Sequence, residues 1–438
     1  MRGAAGGANL LALRSHNTAL VLDLLRTAGG AGISRLELAE RTGLTPQAVS
    51  KITARLRGEG LAAEAGRRAS TGGKPRTVLR LVPGAGHALG VHLDRDELRA
   101  VLVDLDGTVV AERRAPLDLG AGAETVLEMV ARAAEELAAE GLGHLVAEGA
   151  RVPGAALAAA PTLLGLGVAL PGPLDHVRGV LHRITGFPGW DGYPLREALE
   201  RRLGVPVVVD KDTNAAALGL AVGGAGGEEG SGARVEAGGA GGEEGSKAGG
   251  EEGSGAGVEA GGAGGQRGSG AGGEAAGAGA RGGSFAYLHL GTGLGAGLVF
   301  GGGVHRGART GAGEFGHQVV QLDGPPCTCG ARGCIEALCL AAVARGDLAE
   351  AARVLGTGAA NLVGLLDIDL VLLGGRTVAA APEAFVHGVG AVLDARARRE
   401  GGHDGPVPVR LAPAGTRGVA EGAAQLLLAP LFGRGDGG

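Results

Sequence analysis

Aromatic residues are almost missing from this chain: six Phe, two Tyr and one Trp in 438 residues. Hydrophobic content is nonetheless 45%, so any large core must be built from Ala, Val and Leu. Cysteine is as scarce, at four, and four thiols in a chain this long exclude a secreted disulfide framework. The start shows no basic segment followed by an apolar one, so no signal peptide is expected. Charge is absent from one long run, residues 152–174, which is long enough to span a bilayer. Pro153, Pro161, Pro171 and Pro173 break it, and its apolar weight is mostly Ala. A loop feeding a buried strand is the expected reading, with a cytoplasmic chain and no membrane partner.

What the chain does have is length for two or three domains, and 91 Gly, unevenly spread. Residues 223–283 carry nine Glu against four Lys or Arg, with "GGEEGS" three times and "VEAGGAGG" twice. Such a segment cannot bury enough apolar area to offset its ordering entropy. It reads as a disordered surface insertion rather than an acidic interaction tail. Residues 34–80 have the opposite balance, ten Lys or Arg against four Glu, a candidate surface for a polyanion.

That basic region has an order of signals. Leu20, Val21, Leu24 and Leu25 make a helical stripe that ends at Gly29-Gly30. Ser34 and Glu37 form a capping box for a second helix, which stops at Gly43. Thr45 and Pro46 start a third, with Val49, Ile52 and Leu56 as its buried face. Gln47, Ala48, Ser50, Lys51 and Arg55 are left for the other face. Two short strands follow around a Gly-rich tip bearing Arg67, Arg68, Lys74 and Arg76. Helix, turn, basic helix and wing predict a winged helix-turn-helix over 14–82, whose third helix enters the major groove of double-stranded DNA while the wing meets phosphate or the minor groove. A small helical domain with a solvated basic face is the alternative.

The rest alternates β-rich and helical segments, an α/β pattern. "ALGVHL", "RAVLVDL" and "TVVAERRA" are three strands, the last two joined at Asp106-Gly107. "LGTGLGAGLVFGGG" is a glycine-rich strand–turn–strand whose backbone can approach a phosphate or sugar. Asp212 follows the buried strand "PVVVD". It can serve as a base or hydrogen-bond acceptor toward a hydroxyl, or cap a helix.

Three of the four cysteines crowd into "GHQVVQLDGPPCTCGARGCIE". His317, Cys327, Cys329 and Cys334 would close a tetrahedral zinc shell with no open position, a structural pattern. Reduced thiols or a disulfide are the alternatives, and a C-x-C pair is geometrically poor for the latter. Cys339 falls outside the spacing and is expected to be a buried small apolar residue.

Together these residues resemble the ROK family of repressors, open reading frames and kinases. The resemblance spans nearly the whole chain apart from the insertion. It rests most on "GEFGHQVVQLDGPPCTCGARGCIE", and "LPGPLD", "FPGW", "DKDTNAAALG", "LGTGLGAGLV" and "LVLLGG" fall in family order. The winged head is what ROK repressors have and ROK sugar kinases lack. The resemblance implies a two-lobed actin/hexokinase-like, that is ribonuclease H-like, ATPase fold over 87–433. It implies zinc at His317, Cys327, Cys329 and Cys334, and a sugar site between the lobes. Asp212 matches the family's catalytic or sugar-binding Asp, and Glu314, His317 and Glu336 match residues that hydrogen-bond sugar hydroxyls. His317 would give one ring nitrogen to zinc and the other to the sugar.

The departures are as informative. Where ROK kinases have a D-x-G-G-T-K type loop facing ATP phosphates, this chain reads "HLDRDEL". His92 replaces the Asp, and Asp94, Arg95, Asp96 and Glu97 replace Gly, Gly, Thr and Lys. Three carboxylates there would repel phosphates, so no catalytic residue and no ATP binding are expected. Lys211 and Gly186 stand where the family often has Asn. Lys211 would pair with a sugar acid or phosphate, or with Asp212. Residues 336–367 are shorter than usual, with C-terminal helical structure expected to be missing. The expected function is a sugar-responsive repressor: a homodimer on operator DNA with a small sugar effector and a non-catalytic sensor. A sugar kinase with a DNA-binding head, and a regulator with a decayed sensor, are the alternatives.

Overall fold

The computed structural model of the chain describes residues 16–68, 76–146, 162–223, 283–401 and 405–434. The insertion expected at 223–283 lies outside the described residues apart from its two end glycines, as does Lys74 at the wing tip; of Arg68 only the backbone is described.

The head is three helices and a small sheet. Helix α1 (His16–Ala28), α2 (Arg35–Thr42) and α3 (Pro46–Gly58) pack on strands β1 (Ile33–Ser34), β2 (Ala62–Arg68) and β3 (Arg76–Leu81), ordered β1-β3-β2. The local signals act as expected. Ser34 Oγ accepts from Glu37 N at 3.3 Å while Glu37 Oε2 accepts from Ser34 N at 2.8 Å, a reciprocal cap. Thr45 Oγ1 accepts from Ala48 N at 3.3 Å. On α1 the buried positions are Thr18, Ala19, Val21, Leu22 and Leu25; Leu20 and Leu24 are only half-buried.

The remainder is two lobes of one design. In the first, β4 (His87–Leu93), β5 (Glu97–Asp104) and β6 (Val109–Pro116) form an antiparallel meander, and β7 (Leu163–Leu170) and β10 (Val207–Lys211) extend it in parallel, giving β10-β7-β4-β5-β6. Strands β8 (Leu174–Asp175) and β9 (Val180–Leu181) make a small hairpin outside this sheet. In the second lobe, β11 (Phe285–Leu290), β12 (Leu294–Phe300) and β13 (Gly303–Val304) form the meander, with β14 (Leu370–Gly374) and β15 (Val409–Leu411) parallel to β11. The order β13-β12-β11-β14-β15 repeats that of the first sheet. This duplicated arrangement is the two-lobed actin/hexokinase-like fold.

Helices α4 (Ala123–Val146) and α5 (Leu195–Leu203) cover the first sheet. Helices α7 (Ile335–Ala344) and α8 (Leu348–Leu366) fill the segment after Glu336 and pack the second sheet together with α9 (Arg376–Ala380) and α10 (Pro382–Glu400). Between the lobes lie α6 (Asp212–Gly223) and α11 (Gly418–Leu428). A Cβ on Gly422 would sit 2.0 Å from the Ala215 carbonyl oxygen, so only glycine lets these helices approach so closely. The scarcity of aromatics has its counterpart here: the seam is Ala215, Ala216, Ala217, Ala420, Ala423 and Ala424.

The head does not hang from a linker. Its Val21, Leu22 and Leu25 share one buried cluster with Val101, Val103 and Leu105 of the first lobe and with Leu427, Leu428, Leu431 and Phe432 of the C-terminus. Arg434 Nη2 lies 2.9 Å from Asp23 Oδ1, and the Arg26 guanidinium lies 4.8 Å from the Phe432 ring centroid, a cation–π distance. Among the described residues no helix is long and apolar enough to cross a membrane.

Candidate ligand cleft, metal cluster and DNA-facing helix

A cleft opens where the lobes' strand ends meet. The end of β10 and start of α6 supply Lys211, Asp212 and Thr213; the β4–β5 turn supplies Asp94 and Arg95; the β11–β12 turn supplies Thr292 and Gly293. Glu314, His317 and Glu336, from the loop after β13 and the first turn of α7, complete it. All four residues matched to sugar contacts, Asp212, Glu314, His317 and Glu336, therefore line one cavity.

Asp212 opens α6, and its Oδ1 accepts from Thr213 N at 2.6 Å, so it both starts the helix and faces the cleft. Glu336 is 7% exposed and its Oε2 accepts from Leu294 N at 2.9 Å, which ties α7 to β12. Lys211 does not pair with Asp212. Its Nζ lies 3.0 Å from Glu314 Oε1 and 2.5 Å from the Ala312 carbonyl oxygen. A second buried pair stands behind it: Arg306 Nε donates to Asp210 Oδ2 at 2.7 Å, and Asn214 Nδ2 donates to Asp210 Oδ1 at 3.0 Å. The charges buried at the cleft wall and behind it are thus each compensated, as such burial requires.

The acidic β4–β5 turn is not left to self-repulsion. Arg376, at the start of α9 in the second lobe, reaches Asp96 with Nη1 at 3.0 Å and Nη2 at 2.6 Å, and Asp94 with Nη2 at 3.2 Å. Thr292 donates to Asp94 Oδ1 at 2.6 Å, and Arg99 Nη2 donates to Glu97 Oε1 at 2.9 Å. Burial opposes ionisation of Asp94, but the Thr292 hydrogen bond, His92, the Arg95 backbone N–H and Arg376 together hold its carboxyl below the ordinary range. His92 is buried, and burial pushes its pKa down despite nearby Asp212 and Asp94; its ring stands edge-on to His289, 6.2 Å away. The turn thus clasps one lobe to the other. His289 and Thr292 are cleft residues not named from the sequence, whereas Asp94 and Arg95 belong to the turn that aligns with the family's phosphate loop. The one signal for Thr292 was its place in the glycine-rich "LGTGLG" turn.

His317, Cys327, Cys329 and Cys334 bring one ligand atom each within 4.8 Å of one another. Cys327 Sγ lies 3.7 Å from His317 Nδ1, and Cys329 Sγ lies 3.7 Å from Cys334 Sγ. Sulfur ligands about 2.3 Å from a tetrahedral ion stand about 3.7 Å apart, so the donor set and its spacing fit a metal ion. Gly333 makes the loop possible: its φ is +65°, and a Cβ would fall 1.6 Å from the Gln321 carbonyl oxygen. Cys339 is apart from the cluster, fully buried, with its thiol donating weakly to the Ala351 carbonyl at 3.5 Å and pushed up to about 12 by burial.

On α3, Gln47, Ser50, Lys51 and Arg55 are exposed and Ala48 half-buried. Arg55 is partly committed, donating to Thr18 Oγ1 at 2.7 Å with Glu59 at 3.9 Å. Arg67 and Arg76, at the two strand ends flanking the wing tip, are exposed.

The ROK family model matches residues 88–231 and 268–345, just over half of the chain. The chain is 25% identical over 388 residues to the putative xylose repressor of Caldicellulosiruptor sp. (strain Rt8B.4), covering 78% of this chain and 79% of that protein. It is 23% identical over 304 residues to the xylose repressor of Bacillus subtilis (strain 168), covering 69% of this chain and 61% of that protein, under two thirds of the relative's length. In fold it matches the crystal structure of a ROK family transcriptional regulator described as a homolog of the E. coli MLC protein, with a TM-score of 0.64 at 18% identity over 96% of this chain and 98% of that one. The chain belongs to the ROK family.

Proposed function

We propose that this chain is a sugar-responsive transcriptional repressor: residues 14–82 bind operator DNA as part of a homodimer, and residues 87–433, interrupted at 223–283, sense a small sugar without chemical turnover. The observation that carries this reading is the shared core. A helix-turn-helix with an exposed polar and basic face is joined, through α11 and the C-terminus, to the helix seam that borders the cleft. Asp212 begins α6, α6 packs on α11, and α11 leads into the segment that packs on α1. A sugar that draws Asp212, Glu314, His317 and Glu336 together would shift this stack and, with it, the spacing of paired recognition helices, which must match half-sites about one DNA turn apart.

The cation in the His317 cluster is proposed to be zinc in a structural role: when bound, it supplies a fixed template that neutralises the thiolates. His317 Nδ1 faces the sulfurs, leaving Nε2 for a sugar hydroxyl. The chain is proposed not to be a kinase. The turn that would cradle phosphates carries Asp94 and Asp96, and Arg376 is engaged with both. The names of its relatives, xylose repressors, support a pentose as the first sugar to try.

The test is a gel-shift assay with fragments upstream of the chain's own gene and of neighbouring sugar genes, with and without a panel of pentoses, hexoses and amino sugars. Release of a specific fragment by one sugar is the expected result. Specific DNA binding that no sugar alters, together with ATP-dependent phosphorylation of a sugar, would sink the reading.

A further inference from the structure

A second cavity, of about 260 Å³, lies where the head meets the sensor. It is walled by Leu220, Ala412 and Pro413, and three polar side chains from three separate elements meet in it: Arg26 of α1, Asp106 of the β5–β6 turn and Gln425 of α11. Their convergence is close. Gly107 has φ +86°, and a Cβ there would lie 3.0 Å from Gln425 Nε2 and 3.3 Å from Arg26 Nη2. Arg26 Nη2 donates to the Asp106 carbonyl oxygen at 3.0 Å. Yet Arg26 Nη1, Asp106 Oδ1 and Gln425 Oε1 are all buried without a hydrogen-bond partner, and Gln425 is only 6% exposed. A buried polar atom left without a partner is costly, and native proteins keep few of them.

The lining also limits what can satisfy these atoms. Arg26 and Asp106 compensate each other in charge, and Glu421 is paired with Arg417 at 3.1 Å. An anion would meet Asp106 and Glu421, and a cation would meet Arg26. A hydroxyl both donates and accepts, so a molecule with several hydroxyls and no charge answers the guanidinium, the carboxylate and the carboxamide together. The size suits a small metabolite, below the roughly 300–1,000 Å³ of sites for drug-sized ligands.

We propose that this junction cavity is a second ligand site, separate from the interlobe cleft, which takes a neutral polyol of five or six carbons and ties the head to the sensor. Its regulatory consequence rests on the repressor reading. A ligand bonded at once to Arg26 on the head and to Asp106 and Gln425 on the sensor favours the head position described here, and so changes DNA affinity independently of the cleft.

The test is calorimetric titration of the full chain with xylitol, sorbitol and myo-inositol, repeated on Gln425→Leu, Arg26→Met and the cleft variant Asp212→Asn. The expected result is binding of at least one polyol, weakened about tenfold or more by Gln425→Leu and Arg26→Met and left within twofold by Asp212→Asn. If Gln425→Leu does not fold, Gln425→Glu keeps the shape and must show the same loss. The proposal is overturned by no binding of any of the three, by binding that Asp212→Asn abolishes, or by binding that the junction variants leave unchanged. A crystal grown with the bound polyol that shows only water in the cavity overturns it too. Polyol binding with this variant pattern in a chain that binds no DNA would end the repressor reading and leave the site standing.

Discussion

Lys211 Nζ and Glu314 Oε1 lie 3.0 Å apart, yet the Lys211 side chain is 4% exposed and that of Glu314 40%. The two partners therefore depend on the pair unequally. Glu314→Gln removes the countercharge, leaves a buried ammonium with only neutral acceptors and should destabilise the chain by about 3 kcal/mol. Lys211→Met removes the buried charge itself and leaves a carboxylate that can reach water, so its cost should stay below about 1.5 kcal/mol. Urea denaturation of the two variants checks this order; an equal or reversed cost would mean that the pair does not hold the Lys211 charge.

Purified protein should carry one zinc per chain by metal analysis. Cys327→Ser should lose the metal, lower the melting temperature and abolish the response to the sugar effector together, because the cluster fixes His317 beside the cleft. Loss of zinc with the ligand response intact would show that the metal does not shape the cleft. Gly333→Ala should mimic the cysteine variant without touching a ligand, since its Cβ collides with the Gln321 backbone.

The clasp between Asp94, Thr292 and Arg376 has a pH signature. A carboxyl whose folded pKa lies below its unfolded value of about 3.9 stabilises the fold in full above that value, and the contribution fades as pH falls through the folded one. Asp94 is such a group. Wild type should exceed Asp94→Asn by about 1.5 kcal/mol at neutral pH, with the gap closing only below about pH 4. A gap that closed between pH 5 and 7 would point to a histidine instead.

On DNA, Lys51→Ala should weaken binding to every sequence alike and flatten the salt dependence by about one unit in the log–log slope. Gln47→Ala should cost about 1–3 kcal/mol at one base pair and relax the preference there. A Lys51 effect confined to one sequence would place that residue on a base edge instead.

Much of this was legible because some residues announce their role locally. Ser34, Glu37, Thr45 and Pro46 act within one helical turn, and His317, Cys327, Cys329 and Cys334 are rare residue types at fixed short spacing. The ion pairs had no such signal. Arg376 meets Asp96 across 280 residues, Arg306 meets Asp210 across 96, and Lys211 meets Glu314 across 103. No periodicity links them, so the turn at Asp94–Glu97 read as repulsion until its cations were in view. Between Glu336 and Asp367 the signal is local again: the Ala, Val and Leu spacing of α8 is itself helical.

The cluster that joins Val21, Leu22 and Leu25 to Leu105, Leu428 and Phe432 also sets how the chain comes apart. A head with its own core would melt alone; this one lends its inner face to the sensor. Heating should therefore unfold both in a single calorimetric transition, and a chain cut after residue 82 should yield a sensor that exposes Leu105, Leu431 and Phe432 and aggregates. The reader of DNA and the reader of sugar are then one folding unit, and neither can be lent to another protein without taking the other along.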